Sequence, residues 1–173
     1  MKRVRYSVAM SLDGYIAGPN GESDWIVMDP DIDFMSLMAG FDTIILGRKT
    51  YEVTRQQGGG GGGMPGIRET YVFSRTLRPE DCPGVTLSAD PRATLNALRD
   101  RAGKDIWLFG GGSLFRSLLE LGLVDTVEVA IIPVLLGGGV QFLPEPAARS
   151  KLKLVRHRVY EKTGTVSLEY ALR

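Results

Sequence analysis

The sequence predicts an α/β protein. A single domain over residues 1–173 carries a mixed, mostly parallel sheet flanked by helices and closed by a C-terminal antiparallel hairpin. Three observations carry this. The chain has 173 residues, one domain's worth at roughly 100–200 residues per domain. Short apolar strand-like segments alternate with segments of helical spacing, the order that builds parallel sheets. The last two segments alternate apolar and polar residues around Lys162-Thr163-Gly164, the mark of a hairpin.

Each element has a local reason. Arg3–Met10 places Val4, Tyr6, Val8 and Met10 on one face and reads as a strand. Ser11–Asp24 holds Asp-Gly, Gly-Pro-Asn-Gly and Ser-Asp and reads as a loop, in spite of Tyr15, Ile16 and Ala17. Asp31–Ala39 has helical spacing between Pro30 and Gly40. Thr43–Leu46 is a short strand ending at Gly47, after which Arg48–Arg55 can begin a helix. Thr70–Phe73 and, more weakly, Val85–Leu87 are further strands. Asp90-Pro91 is an N-cap with proline at the first helical position; Leu95 and Leu98 mark its buried face and Gly103 its stop. Asp105–Phe109 is a continuous apolar strand, as in a sheet covered on both faces. Gly112–Leu121 is a helix, Val124–Ile132 a long strand, and Lys151–Tyr160 with Thr165–Leu172 the hairpin.

Composition excludes several classes. Hydrophobic residues are 43% and charged residues 24% of the chain, ordinary for a globular protein and foreign to a disordered or fibrous one. A net charge of +1 gives no general basic surface for nucleic acid. One cysteine, Cys82, makes no intrachain disulfide, and one histidine, His157, read as structural, leaves too few ligands for a structural zinc site. No metal is expected. The start Met1-Lys2-Arg3-Val4-Arg5 lacks the apolar run of a signal peptide, and no stretch approaches the ~18–20 apolar residues of a membrane span, so a soluble cytoplasmic protein is expected. Of the 22 glycines, three runs stand out: Gly58–Gly63, expected to be a mobile loop, then Gly110–Gly112 and Gly137–Gly139.

Three strand ends could carry chemistry. In Ile45-Leu46-Gly47-Arg48-Lys49-Thr50 a strand runs into glycine, two cations and a hydroxyl at a helix start, where free N–H groups favour an anion. The same residues also make an ordinary solvated basic turn. Val72-Phe73-Ser74-Arg75-Thr76 repeats the pattern one strand later. In Phe109-Gly110-Gly111-Gly112-Ser113-Leu114-Phe115 a buried strand meets triple glycine and a helix, either a phosphate turn or a close-packed corner. Among carboxylates, Asp29, Asp31 and Asp33 cluster where they can cap a helix, and Asp13 with Gly14 suits a turn.

Taken in order, Val8–Ala17, Asp24-Trp25, Leu46–Glu52, Ser74-Arg75-Thr76 and Phe109–Gly112 resemble the dihydrofolate reductase superfamily over nearly the whole chain. Gly21–Ile26, Leu123-Val124-Asp125 and Ile132–Gly139 are most similar to its riboflavin-pathway reductase branch. The resemblance implies a dihydrofolate reductase-like fold, NADPH as cofactor, a small-molecule substrate, a homodimer and a cis peptide at Gly110-Gly111. It implies that Ala9, Ile16 and Ala17 line the nicotinamide pocket. Gly47, Arg48, Lys49 and Thr50 would hold the pyrophosphate and approach the 2′-phosphate, with Ser74 and Arg75 as the second 2′-phosphate contact. Gly110, Gly111, Gly112, Ser113, Leu114 and Phe115 would form a third phosphate loop. On the substrate side it implies Trp25. Asp31, with Asp33 two residues away, stands where folate enzymes carry the pterin carboxylate; these two, then Asp13, are the candidate proton donors. Ala130 stands where folate enzymes carry a threonine, and Tyr15 where the riboflavin branch often carries a basic residue. Three functions stay open: an aminouracil-type reductase of riboflavin biosynthesis, a dihydrofolate reductase, or a non-catalytic NADP-binding module.

Overall fold

The computed structural model describes residues 1–58 and 64–173. The expectation for the glycine run 58–63 falls almost wholly outside the described residues. Elements follow the order β1 (Val4–Ser11), β2 (Tyr15–Ala17), α1 (Phe34–Met38), β3 (Phe41–Gly47), α2 (Arg48–Gln56), β4 (Glu69–Phe73), β5 (Thr86–Ser88), α3 (Pro91–Arg99), β6 (Asp105–Gly110), α4 (Gly112–Glu120), β7 (Thr126–Ile132), β8 (Val140–Gln141), β9 (Leu152–Tyr160) and β10 (Thr165–Leu172). Eight strands form one sheet in the order β5-β4-β3-β6-β1-β7-β10-β9. The pairs from β5 to β7 are parallel, and β10 and β9 are added antiparallel. The mostly parallel sheet with its terminal hairpin is the fold that the sequence predicts.

The two-residue period of the strands sorts side chains into two layers. Val4, Tyr6, Ile45, Ile106, Leu108, Val127 and Val129 face Leu95 and Leu98 of α3 and Leu114, Phe115 and Leu118 of α4. Ile44, Leu46, Val72 and Trp107 face Met38 of α1 and Tyr51 of α2. That second layer ends at β6. On β1, β7 and β10 the same face carries Arg5, Ser7, Ala9, Glu128, Ala130, Ser167 and Glu169, and there it lines a cleft.

Two expectations need correction. Tyr15–Ala17 is a strand, paired antiparallel with Val140–Gln141. Its partner lies far along the chain, so the local turn signals around it gave no sign of the pairing. The helix expected from Asp31 begins only at Phe34, because Asp33 is its N-cap and accepts from the Ser36 amide at 2.9 Å. Residues 29–32 are held instead by the hairpin turn: Asp29 accepts from the Thr163 amide and hydroxyl, and Asp31 pairs with Lys162 at 2.8 Å.

Candidate active site

The four helices start in two different ways. α1 and α3 begin on Asp33 and Asp90, whose carboxylates accept from amides of the first turn. α2 and α4 begin on Gly47 and Gly111, with no side chain capping either one. Their first N–H groups therefore have no side-chain cap as acceptor, and the positive end of each helix dipole lies behind them. The two starts abut: a Cβ on Gly111 would lie 3.1 Å from Thr50 Oγ1. The Gly110-Gly111 peptide is cis, as the resemblance implied. Gly112 admits no side chain, because a Cβ there would collide with the carbonyl oxygens of Gln141 and Phe142. Both starts open into one cleft of about 1710 Å³, lined here by Gly47, Arg48, Lys49 and Thr50 and by Gly110 through Leu114. That volume exceeds the roughly 300–1,000 Å³ of a typical small-molecule site, leaving room for two ligands.

Ala9, Ile16 and Ala17 line the same cleft. Behind them the loop after β7 is pinned to the β1–β2 turn. Asp13 accepts from Ser11 Oγ at 2.6 Å and from the amides of Leu136 and Gly137 at 3.1 and 2.7 Å. The Ser11 hydroxyl first, then these amides, hold the Asp13 carboxyl below the usual carboxylate range despite its partial desolvation. Gly139 seats against the Ala17 carbonyl, where no Cβ fits.

Beyond them lies the polar part of the sheet. Arg5 grips Glu128 with two bonds of 2.6 and 2.9 Å and lies 4.5 Å from the centre of the Phe41 ring. Burial opposes the Arg5 charge, but the bonds and charge of Glu128, with Asp105 and Glu169, outweigh it and raise its pKa. Glu128 stands directly opposite Glu169 across β7 and β10, and Glu169 opposite Arg156 across β10 and β9. A charge ladder Arg5–Glu128–Glu169–Arg156 therefore crosses four strands. Phe34, Leu37 and Trp107 also line the cleft, and Trp107 stacks on the Phe41 ring beneath Arg5, with ring centres 5.7 Å apart.

Several residues singled out in the sequence lie elsewhere. Asp13 and Asp31 are not in the cleft lining and serve as latches. Asp33 lines it, but both its oxygens are taken by Ser36, whose hydroxyl and amide lower its pKa. Trp25 also lies outside the lining, its indole N–H donating to the Glu22 carbonyl of its own loop. Phe115 is buried against Tyr6, with ring centres 4.0 Å apart, because helical spacing turns it from the α4 start into the core. Ser74 is a turn residue whose hydroxyl accepts from the Thr76 and Leu77 amides; Arg75 is exposed beside it, and Arg48 reaches this turn through Thr76 at 3.2 Å. The sequence reading missed Arg5, Glu128, Glu169 and Arg156. For Arg5, Glu128 and Glu169 the signal was a charge on the polar phase of an otherwise apolar strand; Arg156 is one of several charges on β9 and carried none. Among the described residues no group of three or more His, Cys, Asp or Glu is placed to hold a metal ion. Among them, too, no helix is long and apolar enough to cross a membrane.

Comparison with known proteins agrees with this geometry. The family model of the RibD C-terminal domain matches residues 2–166. The uncharacterized protein YyaP of Bacillus subtilis is 35% identical, over 98% of this chain and 94% of that protein. A solved putative riboflavin biosynthesis protein from Shewanella sp. PV-4 superimposes with a TM-score of 0.82 at 24% identity, covering 100% of this chain and 99% of that one. Dihydrofolate reductase from Enterococcus faecalis, solved with NADP(H), superimposes with a TM-score of 0.72 at 20% identity, covering 99% and 96% of the two chains. At these identities the two structures show a shared fold. The match to the family model over nearly the whole chain, with the fold and glycine turns beneath it, makes this chain a member of the RibD C-terminal domain family.

Proposed function

We propose that the chain is an NADPH-dependent reductase acting on a C=N bond of a small heterocycle, of the 5-amino-6-(5-phosphoribosylamino)uracil type in riboflavin biosynthesis. The observation that carries this is the pair of helix starts without side-chain caps meeting in one cleft beside Arg48 and Lys49. Two sets of N–H groups without a side-chain cap suit a pyrophosphate, and exposed cations next to them suit a further phosphate. Gly47, Thr50, Gly110–Gly112 and Ser113 would hold the pyrophosphate. Arg48, with Ser74 and Arg75 on the turn that it reaches, would meet the 2′-phosphate. Ala9, Ile16 and Ala17 would flank the nicotinamide. When bound, the cofactor supplies hydride to carbon while a proton reaches nitrogen. Of the carboxylates singled out in the sequence, Asp33 alone lines the cleft, and its two bonds from Ser36 with the lowered pKa they cause speak against it as the proton donor.

The test is titration with NADPH and NADH. Tight binding of NADPH and much weaker binding of NADH support the reading; equal affinities, or none, overturn it. Binding without turnover of dihydrofolate or an aminouracil would favour the non-catalytic module.

We further infer a homodimer. The edge strand β9 exposes apolar side chains, Val155 at 56% and Val159 at 58% among them, and an uncovered apolar edge calls for a partner. A sedimentation mass of one chain at micromolar concentration overturns this. The lone, buried Cys82 suits the reducing cytoplasm that we assign to the protein.

A further inference from the structure

The sequence offered Asp31, Asp33 and Asp13 as the carboxylates that meet the substrate, and the structure engages all three elsewhere. Four carboxylates line the cleft: Asp33, Glu52, Glu128 and Glu169. Asp33 is spent on Ser36. Glu52 sits on α2 at the far end, 3.9 Å from Arg48. Glu128 has both oxygens occupied: Oε1 accepts from Arg5 Nε and Thr126 Oγ1, and Oε2 from Arg5 Nη2. Glu169 differs. Both bonds from Arg156, at 3.1 and 2.7 Å, fall on Oε2, so Oε1 has no hydrogen-bond donor among the described residues. The Glu169 side chain is only 19% exposed, whereas Arg156 is 76% exposed. A carboxylate oxygen part-withdrawn from water and left without a donor is an acceptor waiting for one.

We propose that Glu169 is a specificity-determining residue of the cleft, its free Oε1 accepting from an amino group carried by a planar heterocyclic substrate. This rests on the reductase reading above, which assigns the other end of the cleft to the dinucleotide. Arg5 supports the role from a distance: by bonding both oxygens of Glu128 it offsets the repulsion between two directly opposed carboxylates. Trp107, stacked on the Phe41 ring that Arg5 covers, lines the cleft and offers an apolar wall for a ring. The amino group distinguishes the right ring from one of similar shape that lacks it, because a charge-assisted bond contributes more than shape alone can.

The test measures affinity for 5,6-diaminouracil and for uracil by calorimetry, on the protein without dinucleotide and again with NADPH. Wild type prefers diaminouracil, and Glu169→Gln reduces that preference by about ten- to a hundred-fold. NADPH affinity and the melting temperature stay unchanged. Arg156→Ala removes the cation that competes for Glu169 and leaves the preference equal or larger. An Arg156–Glu169 pair that acts only as a strut would instead lose it in both variants. A wild type without preference, a Glu169→Gln variant that keeps it, or an Arg156→Ala variant that loses it equally, each overturns the proposal. Loss of NADPH binding in wild type would overturn the dinucleotide reading alone, since the pyrimidine measurements do not need it.

Discussion

The two ends of the cleft are built from different materials. At the β3 and β6 end the site is backbone: glycines, a cis peptide and two helix starts without side-chain caps. At the β7, β10 and β9 end it is side chains, four charges laid across neighbouring strands. A backbone site fails when an atom is added at Gly112, where only glycine fits. The buried step of the ladder fails when atoms are removed, because Glu128 is balanced there by Arg5. The first kind suits a ligand recognised by its phosphates, the second a ligand recognised by the pattern of its ring substituents.

The largest expected effect comes from the ladder. Arg5→Ala leaves Glu128, 12% exposed, without its bidentate partner; breaking a buried pair costs about 3–5 kcal/mol, to be read as the shift in the urea midpoint. A shift no larger than that of an exposed pair would break the comparison. Gly112→Ala follows. Its Cβ meets the Gln141 and Phe142 carbonyls, and overpacking costs about 1–3 kcal/mol. The variant should lose both stability and NADPH binding. Gly138→Ala, where a Cβ meets nothing within 4 Å, should leave stability and binding intact. Thermal melts of the two variants decide this.

Arg48→Ala should leave the fold intact and weaken NADPH by about ten- to a hundred-fold with NADH unchanged. Arg75→Ala should act likewise, and the double variant less than additively if both meet one phosphate. Raised salt should weaken NADPH more than NADH, because these cations are exposed. The smallest effect belongs to the Asp29 latch on the hairpin turn. Burial pushes the Asp29 carboxyl up, but the Asp31 amide, the Thr163 hydroxyl and amide and the Lys162 charge outweigh it and lower its pKa. Its stabilisation is thus fully present above the unfolded value near 3.8 and is lost as pH falls through the folded one. Asp29→Asn should flatten the acid limb of stability below about pH 4 and leave the neutral region nearly flat. A wild-type acid limb in the variant would show that the latch is not ionic.

The two ends also differ in how far the sequence revealed them. Gly47-Arg48-Lys49-Thr50 and Gly110-Gly111-Gly112 are contiguous runs at strand ends. Their chemistry depends on backbone freedom and on the helix start that follows, and both are local properties. Arg5, Glu128, Glu169 and Arg156 come from four strands, and no run of neighbours announces them. Only the registers Glu128 to Glu169 and Glu169 to Arg156 bring them together. Asp13 and Asp31 show the reverse error: their residue type suited proton transfer, but tertiary contacts with the Leu136–Gly137 amides and Lys162 engaged them first. Phe115 was carried along by its neighbours in a phosphate-loop pattern, and helical spacing turned it into the core.

The sequence by itself determined the order of the main strands and helices and the glycine turns at Gly47 and Gly110–Gly112, because periodicity and glycine's conformational freedom act over a few residues. Tertiary structure decided the pairing of β2 with β8, the late start of α1, and which carboxylates are free. The strand pairing and the engagement of Asp13, Asp29 and Asp31 depend on partners far along the chain, whereas the start of α1 rests on the local cap from Asp33 to Ser36. A hydrogen bond claimed by such a partner is withdrawn from the chemistry that residue type alone would suggest.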